Sequence, residues 1–582
     1  MASSSQSARS RPELTIRAVL TGMALGAVLT PCNVYSGLKI GWAFNMSVAA
    51  GLLAFAFWRT GERIGARRWG LLENNINQTA ASSAASIISS GLAAPIPALA
   101  LLTGQTLAWQ WLALWLFAIS LVGVVVAAGL RNQMLEARHL PFPSGVATAE
   151  TIQDIHAGGG EAASRLRVLF PSALVAAALK LVHDLAYSLP RLAPGLKFPG
   201  GATAANLGFA LDPSLLMVGF GVIAGVRAGL SALAGAAIAW GVLGPLALMR
   251  GWAQLGGADG SWFGPLVEWL LWPGATLMTV AALASFAISL ARMVARGRRG
   301  QSNGKAARIL VLGRRTFAAA FLISLLAASS AQVALFGIGP IEAIVAVLLS
   351  FGLAAVAGWV SGETGITPVG ALGKVTQLSF ALISPGNVTA NLMSANVTGG
   401  AAGQCADLLH DLRTGQIIGA TPHLQFVAQL FGVLTGSLAG AAAYLAIIPD
   451  PQAMLLTPDW PAPAVATWKA VAEVLSTGLS AMPPGALPAM GIAAIAGLAL
   501  ALADAFLPAR VARFLPSATA AGLGFVIPAW NSISLAIGAL GGLAISRLAP
   551  DWARTKLIVL AAGLIVGESL AGVFTALATL AR

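Results

Sequence analysis

The chain has 582 residues, of which 57% are hydrophobic and only 9% are charged, and its net charge is +13. Soluble domains carry about 25% charged residues, so this composition excludes a soluble globular protein and places most of the chain in a lipid bilayer. The basic residues cluster in short segments between apolar runs, as they do in the loops that set membrane orientation. This distribution argues against nucleic-acid binding. The only two cysteines, Cys32 and Cys405, exclude a disulfide framework.

Apolar stretches of about 20 residues, each long enough to span the hydrocarbon core, recur along the whole sequence. The first follows Arg9 and Arg11 and is followed by no clear small-residue cleavage site. We therefore expect a retained first span and a cytoplasmic N-terminus in the inner, cytoplasmic membrane. The predicted spans are Leu14–Thr30, Trp42–Trp58, Leu72–Leu102, Trp109–Leu130, Val168–Leu189, Ala202–Ala224, Ala228–Met249, Leu266–Leu290, Phe317–Phe336, Ile341–Val360, Phe426–Ile448, Ala489–Leu507, Ser517–Ser546 and Leu557–Leu580.

A polar stretch from Asn33 to Gly41 separates the first two spans and carries Tyr35 and Lys39. Polar and ionisable groups at membrane depth are costly and usually face a protein interior or a wet cavity. A helix broken at Gly37 or Gly41 would expose backbone groups that only a lined cavity satisfies. We interpret the stretch as a broken-helix part of a transport pathway. The alternative is a short surface loop whose lysine extends to the lipid headgroups.

An internal match divides the chain into two halves. Residues 202–209 match residues 518–525 at seven of eight positions, and the same spacing relates the span at Trp109 to the one near Gln425. We predict a first membrane repeat in residues 1–291, with an extra helix at its end left open, and a second repeat in residues 316–582. The basic tract 292–315 is the predicted cytoplasmic linker. Transporters are often built from such repeats, with the binding site at their interface.

Six motifs along the chain support a family resemblance. Residues 33–42 read NVYSGLKIGW, which is similar to a family element of the form NxYxGLKxG. The others, in chain order, are ENN with QT in 73–79, LPFPSG with Glu150 in 140–150, DLRTG in 411–415, GATP with Gln425 in 419–425, and GLIVGESL in 563–570. The chain therefore resembles the oligopeptide transporter family, which includes bacterial members and the related yellow stripe-like metal-chelate carriers. One departure is Ser144, where family members often carry Glu.

The resemblance implies an all-α polytopic membrane protein with about 14–16 transmembrane helices in two homologous repeats, including broken or re-entrant helices. It implies a secondary active transporter, not an enzyme, that carries oligopeptides or peptide-like metal chelates together with protons. Its partners would be this small substrate, protons and the lipid bilayer, without nucleic acid. No cofactor is implied, and the formation of a homo-oligomer stays open.

Candidate substrate ligands are polar side chains within or beside the apolar segments. Lys39 would attract a substrate carboxylate or pair with a carboxylate such as Glu73, and Tyr35 would stack on a ligand or anchor at the membrane interface. Amide and hydroxyl side chains would hydrogen-bond a peptide, or equally bond one helix to another. The predicted substrate-binding set is Asn33, Tyr35, Lys39, Asn74, Gln78, Thr79, Asn387 and Asn391.

Proton coupling needs a carboxylate inside the membrane, where desolvation favours its protonated form. The predicted proton-coupling residues are Glu73, Glu363 and Glu568. Glu568 lies deep in the last span, where no simple surface role fits it. For Glu73 the alternative is a helix start, where acidic residues are favoured. For Glu363 the alternative is a cytoplasmic turn.

Other polar groups leave three further interpretations. The His–Asp pairs at 183–184 and 410–411 resemble metal ligands, but the spacing of a structural zinc site is absent, so we expect no intrinsic metal. Asp407, Asp411 and Arg413 are expected to form a cytoplasmic ion-pair cluster. The sequence lacks a glycine-rich phosphate-binding loop with lysine, which argues against ATP as the energy source. A passive channel for small solutes, or an intramembrane enzyme acting through the 183–184 pair, remains an alternative function.

Overall fold

The computed structural model describes residues 12–43, 45–157, 160–257, 260–299, 311–478 and 482–580. Residues 300–310 of the predicted linker lie outside these ranges. Apart from two isolated β-bridges, the regular structure of the described residues is helical. The α-helices of the first half are α1 (Ile16–Ile40), α2 (Ser47–Arg63), α3 (Leu71–Ala85), α4 (Pro95–Thr103), α5 (Trp109–Arg131), α6 (Pro143–His156), α7 (Glu161–Leu181), α8 (Leu215–Ile238), α9 (Gly244–Met249) and α10 (Phe263–Arg299).

The second half of the chain, after the basic tract, is also helical. Its α-helices are α11 (Arg314–Phe336), α12 (Pro340–Thr364), α13 (Val369–Ile383), α14 (Val388–Ile418), α15 (Pro422–Ile447), α16 (Pro451–Met454), α17 (Pro463–Thr477), α18 (Ala486–Phe506), α19 (Ala509–Ala512), α20 (Ala518–Val526), α21 (Ala529–Leu548) and α22 (Pro550–Leu580). Short 3-10 segments lie at Ser86–Ser90 and Pro199–Gly201, and π-helical segments lie at Asn132–Ala137, Val182–Ala186 and Ala239–Leu243.

Twelve helical segments of the described residues are long and apolar enough to cross a membrane. The chain is therefore a multi-pass, all-helical membrane protein, as predicted, while the larger number of spans and the two repeats stay predictions. Helix α14 is not among the twelve, although its 31 residues are more than the roughly 20 that a span needs. It is rich in polar residues and mostly buried, and it packs against α3, α5, α12 and α13 at the centre of the protein.

Helix α1 runs without interruption through Ile40, so the prediction of a helix break within residues 33–41 is wrong. Gly37 lies inside the helix, where an added Cβ would overlap the side chain of Ile88. Gly41 has a φ of +80° and ends the helix in the left-handed conformation that glycine favours. The two glycines thus serve close packing and helix termination, and the polar side chains of the stretch project from a continuous helix.

A break does occur in the predicted span Leu72–Leu102. Helix α3 ends at Ala85, a 3-10 turn follows, and Gly91 takes a φ of +113° before α4 begins at Pro95. The side chain of Asn396 in α14 donates a hydrogen bond of 2.8 Å to the carbonyl of Ser90. This amide satisfies a backbone acceptor that the interrupted helix leaves without an intrahelical donor.

Residues 202–214 form turns instead of a span. Helix α8 begins only at Leu215, so the predicted span Ala202–Ala224 is wrong in its first half. Gly225 has a non-helical backbone with a φ of +79°, and the predicted span Ala228–Met249 coincides with the helical part that follows it. Pro213 explains the late start, because the residue before a proline is disfavoured in the helical conformation. Composition alone did not distinguish these apolar turns from a helix.

The two matching octapeptides adopt different conformations. Residues 518–525 are helical within α20, whereas residues 202–209 form turns. They differ at Asn206, whose side-chain oxygen accepts a 2.9 Å hydrogen bond from the backbone of Thr203 and whose amide donates to the carbonyl of Gly260 at 2.7 Å. Gly522 occupies the same position in the second copy and offers no such bonds. The match is therefore one of sequence and not of local structure.

Glycine allows close contact between α15 and α3. An added Cβ at Gly436 would overlap the backbone of Ala84. We expect Gly436→Ala to lower the free energy of unfolding by about 1–3 kcal/mol, the usual cost of overpacking. The melting temperature of the purified protein in detergent measures this effect. Gly541→Ala in α21 is the matched control, because its added Cβ would meet no atom within 4 Å. Equal melting temperatures for the two variants would contradict the packing described.

Candidate functional site

A cleft with about 650 Å³ of atom-free space, part of it open to solvent, lies between the second half of α1, the end of α7, the start of α8 and the middle of α22. Residues from both sides of the basic tract 292–315 contribute to it. We call it the charged cleft, and its polar and aromatic lining consists of Tyr35, Lys39, Lys180, His183, Arg191, Asp212, Ser214, Asp459, Trp530, Asn531 and Glu568.

Lys39 supplies a positive charge without an acidic partner. Its ammonium donates a hydrogen bond to the backbone carbonyl of Asp459 and lies 4.8 Å from the ring centre of Trp460 and 5.7 Å from that of Tyr35. Among the described residues, it forms no ion pair with a carboxylate. Ring faces and a carbonyl dipole stabilise the charge without neutralising it, so it remains available to the carboxylate of a ligand.

Glu568 supplies a buried carboxyl group. Only 6% of the residue is exposed. One carboxylate oxygen accepts a 2.7 Å hydrogen bond from the hydroxyl of Ser214, and the other accepts a 2.7 Å bond from the backbone N–H of Leu216. Both donors belong to the N-terminus of α8, where the helix dipole and the unpaired N–H groups favour an anion. The start of α8 therefore holds the Glu568 carboxyl group beside the cleft.

Two ion pairs complete the walls of the charged cleft. Arg191 pairs with Asp212 at 2.7 Å, and its guanidinium lies 4.1 Å from the ring centre of Trp530. Lys180 pairs with Asp184 at 2.7 Å, one turn further along the chain. Because charges of both signs line one cavity, its surface matches a ligand that is itself zwitterionic better than an apolar or singly charged one.

Aromatic rings shape the cleft near Lys39. The rings of Tyr35 and Trp460 meet edge to face, with centroids 5.3 Å apart. An added Cβ at Gly572 would overlap the Tyr35 ring, so this glycine makes room for it against α22. Tyr35 is buried and lines the cleft, as its predicted role in ligand contact requires.

The structure brings three of the predicted site residues together, namely Tyr35, Lys39 and Glu568, and places the others elsewhere. Asn33 donates a 2.9 Å hydrogen bond to the carbonyl of Ala85 and so joins α1 to α3. Glu363 is exposed near the end of α12. These two positions fit helix packing and a helix terminus better than contact with a ligand in the charged cleft.

Glu73 forms an ion pair with Arg17 and not with Lys39. The Arg17 guanidinium bonds both carboxylate oxygens, and the hydroxyl of Thr15 donates a further 2.8 Å bond. Arg17 and Lys39 are 22 residues apart on α1, which corresponds to about 33 Å along a helix. Glu73 also accepts a bond from the backbone N–H of Gly70, so it closes the start of α3 in the manner of a capping box.

The remaining predicted ligands bond to neighbouring helices. The amide of Asn74 lies 3.3 Å from His156, where burial lowers the pKa of His156 to about 4 and leaves a neutral ring at pH 7. Thr79 accepts a bond of 3.4 Å from Gln425. Asn387 caps the start of α14, and Asn391 exchanges bonds with Gln377 of α13. Gln78 donates to the carboxylate of Asp411.

The expected cytoplasmic ion-pair cluster of Asp407, Asp411 and Arg413 is wrong. Both carboxylates are buried inside the helix bundle, and Arg413 donates instead to Gln416 at 2.7 Å. Among the described residues, no Lys or Arg pairs with either aspartate. The reason is the helical phase of α14, which directs residues 407 and 411 toward α3 and α15 while residue 413 points away.

Sequence reasoning missed several residues of the cleft. Lys180 comes from the end of α7 and pairs with Asp184 one turn later, whereas Arg191 and Asp212 come from the irregular loop before α8, whose conformation joins them in an ion pair. Trp530 lies more than 400 residues from α1 in the chain. The one available signal was the Asp-Pro-Ser run at 212–214, which is a typical start of a helix and hence of an anion site.

The OPT oligopeptide transporter protein family matches residues 13–579 of this chain. The chain belongs to the OPT oligopeptide transporter family. The resemblance seen in the six motifs is thereby confirmed, and because this is a family of transporters, the intramembrane-enzyme alternative is wrong.

Relatives of this OPT transporter match it along nearly its whole length. A putative oligopeptide transporter of Saccharomyces cerevisiae is 24% identical over 97% of this chain and 96% of its own length. A metal-nicotianamine transporter of Arabidopsis thaliana is 23% identical over 96% of this chain and 92% of its own. A putative oligopeptide transporter of Haemophilus influenzae is 26% identical over 93% of this chain and 92% of its own.

Proposed function

We propose that this OPT transporter is a proton-coupled secondary carrier of short peptides or peptide-like metal chelates, and that the charged cleft is its substrate site. The observation that carries the proposal is the pairing of an unneutralised cation, Lys39, with a buried carboxyl group, that of Glu568, in one cavity. A peptide carries an ammonium and a carboxylate at its two ends, and a chelate built from amino-acid units carries the same groups. The names of the relatives point to these two substrate classes.

Each group of the cleft receives one part of the substrate in this proposal. Lys39 binds a substrate carboxylate, and Glu568 binds a substrate ammonium. Tyr35 and Trp530 offer rings against which an apolar side chain can pack. The two ends of the ligand would thus be held by charge-assisted hydrogen bonds, which are the stronger kind.

The proposal extends to topology. It places the N-terminus and the basic tract 292–315 in the cytoplasm and the protein in the inner membrane, in agreement with the basic residues that follow α2 at 59–68. It also retains about 14–16 spans in two repeats. The long polar helix α14 would be one of the spans beyond the twelve apolar ones.

Uptake by proteoliposomes that enclose a pH dye tests the proposal. Di- to hexapeptides and metal chelates are offered one at a time to the purified full-length protein. We expect internal acidification that depends on one substrate class, which would also name the cargo. Flux of substrate without acidification would contradict proton coupling and favour a passive channel. The absence of any flux through folded protein would overturn the proposed function.

A further inference from the structure

We infer that the two buried aspartates of α14, Asp407 and Asp411, form the site that binds the transported proton. The inference rests on the proposed proton coupling and gives it a location outside the charged cleft. We call the two residues the aspartate pair. They lie four positions apart and therefore on one face of the helix, one turn from each other. Asp407 is 8% exposed and Asp411 is 1% exposed.

The donors around the aspartate pair are neutral. Asp407 accepts bonds of 3.1 Å from Ser82 and 3.3 Å from Gln429, and Asp411 accepts one from Gln78. Neutral donors stabilise a carboxylate only in part, and two like charges one turn apart in a dry interior cannot both be ionised at acceptable cost. The pair therefore holds at least one proton in this conformation.

Unpaired oxygen atoms show where that proton sits. Oδ2 of Asp411 is buried without a hydrogen-bond partner among the described residues. The side chain of Gln78 is fully buried, and because its nitrogen donates to Asp411, its oxygen is left without a partner as well. Gln425 and Gln429 each leave a buried oxygen unpaired beside the pair in the same way.

Several acceptors without a donor are unfavourable in a protein interior. A proton on Oδ2 of Asp411 would turn one of these unpaired acceptors into a donor. Asn75 adds an independent sign of an incomplete site, since both of its polar atoms are buried and unpaired. It lies on the face of α3 that carries Gln78 and Ser82, because residues three and seven positions apart share a helix face.

Charged groups on α14 and on the helices that pack against it have other partners or lie toward the surface. His410 contacts Ser361, Arg413 donates to Gln416, Arg131 pairs with Glu136, Lys469 pairs with Glu473, and Lys374 lies over the ring of Trp468. Glu73 pairs with Arg17, and His156 faces Asn74. The remaining acidic and basic residues of these helices are exposed or half-buried, namely Glu150, Asp154, Arg314, Arg315, Glu342, Glu363 and His423.

The predicted proton carriers are less suited to the task. Glu73 is paired with a guanidinium, which stabilises its anion, and both oxygens of Glu568 already accept hydrogen bonds at a helix N-terminus. Helix α3 connects the aspartate pair to the cleft, because it packs against both α14 and α1. A proton that leaves Asp411 changes the bonds between α14 and α3, and α3 contacts the helix that carries Lys39.

Two assays on the same proteoliposomes test the inference. Counterflow, the exchange of labelled for unlabelled substrate at equal pH, needs no net proton movement, whereas acidification by substrate does. We expect Asp411→Asn to retain counterflow and to lose substrate-dependent acidification and accumulation driven by a pH gradient. Asp551→Asn, at the exposed start of α22, is the matched control and should retain both activities.

A second aspartate variant and further comparisons decide whether the inference holds. Asp407→Asn replaces Asp411→Asn if the latter fails to fold, as judged by its melting temperature. Normal acidification by both folded variants would overturn the inference, and so would a loss of acidification with intact counterflow in Glu73→Gln. Accumulation driven by a sodium gradient instead of a pH gradient would assign the site to another ion. If the wild-type protein never acidifies the vesicles, the proposed proton-coupled function is refuted. That result differs from a failure of the inference about the aspartate pair, in which the wild-type protein acidifies the vesicles and the variants do so as well.

Discussion

Glu568→Gln is expected to lower the uptake of substrates with a free amino group by about tenfold or more, because a hydrogen bond to a charged group contributes about 1.5–3 kcal/mol. The substitution removes the carboxyl group that Glu568 contributes to the charged cleft. It also places an amide nitrogen opposite one of the two donors that hold the carboxylate, the hydroxyl of Ser214 or the N–H of Leu216. Initial uptake rates over a range of concentrations measure the loss as an increase in KM.

The comparison of a dipeptide with its N-acetylated form makes this result specific. Wild-type protein should prefer the free amine, and the variant should treat both peptides alike. Glu342→Gln, at the start of α12 and outside the cleft, is the control for a change from glutamate to glutamine. If Glu568→Gln keeps the wild-type preference for the free amine, Glu568 does not bind the substrate ammonium.

Lys39→Gln is expected to weaken the binding of substrates with a free carboxylate by a similar factor, about tenfold. Among the described residues this lysine has no acidic partner, so its replacement leaves no buried carboxylate unpaired. The variant should therefore fold normally, which separates its effect on transport from an effect on stability. Uptake of a dipeptide and of its C-terminal amide gives the measurement, and the amide should be affected much less than the free acid.

Lys197→Gln, in the exposed loop before α8, controls for the loss of one positive charge. It should leave the uptake of both peptides unchanged. A Lys39 variant that transports the free acid at the wild-type rate and KM would show that the charge of Lys39 is not used for substrate binding. Equal losses for the free acid and the amide would indicate a structural role for the lysine in place of carboxylate recognition.

Much of the fold could be predicted from the sequence, because the cost of polar groups in lipid makes spans visible as apolar runs. Most predicted spans overlap a helix, although several helices extend well beyond the predicted ends. The failures have local causes. Residues 202–211 are mostly apolar but precede Pro213, and Gly37 interrupts nothing, since it faces Ile88 across a tight helix contact.

The sequence predicted residues of the candidate site only where a polar or charged side chain lies in or beside an apolar run. Lys39 and Glu568 are charged side chains in apolar runs, and both lie in the charged cleft. Arg191 and Asp212 lie in a loop whose polarity was unremarkable, and only the fold brings them to the cleft. The aspartate pair was misinterpreted because the sequence offers Arg413 two residues away as a partner, whereas helical phase directs it elsewhere.

The most direct test of the charged cleft as the substrate site is the protection of a cysteine by substrate. The two native cysteines are buried, and Asp459→Cys introduces an exposed thiol at the cleft beside Lys39, whose bond to residue 459 uses only the backbone. Labelling by a water-soluble thiol reagent should slow when a transported peptide or chelate is present, and it should not slow at Asp551→Cys. Unchanged labelling at position 459 under saturating substrate, with transport intact, would contradict the assignment.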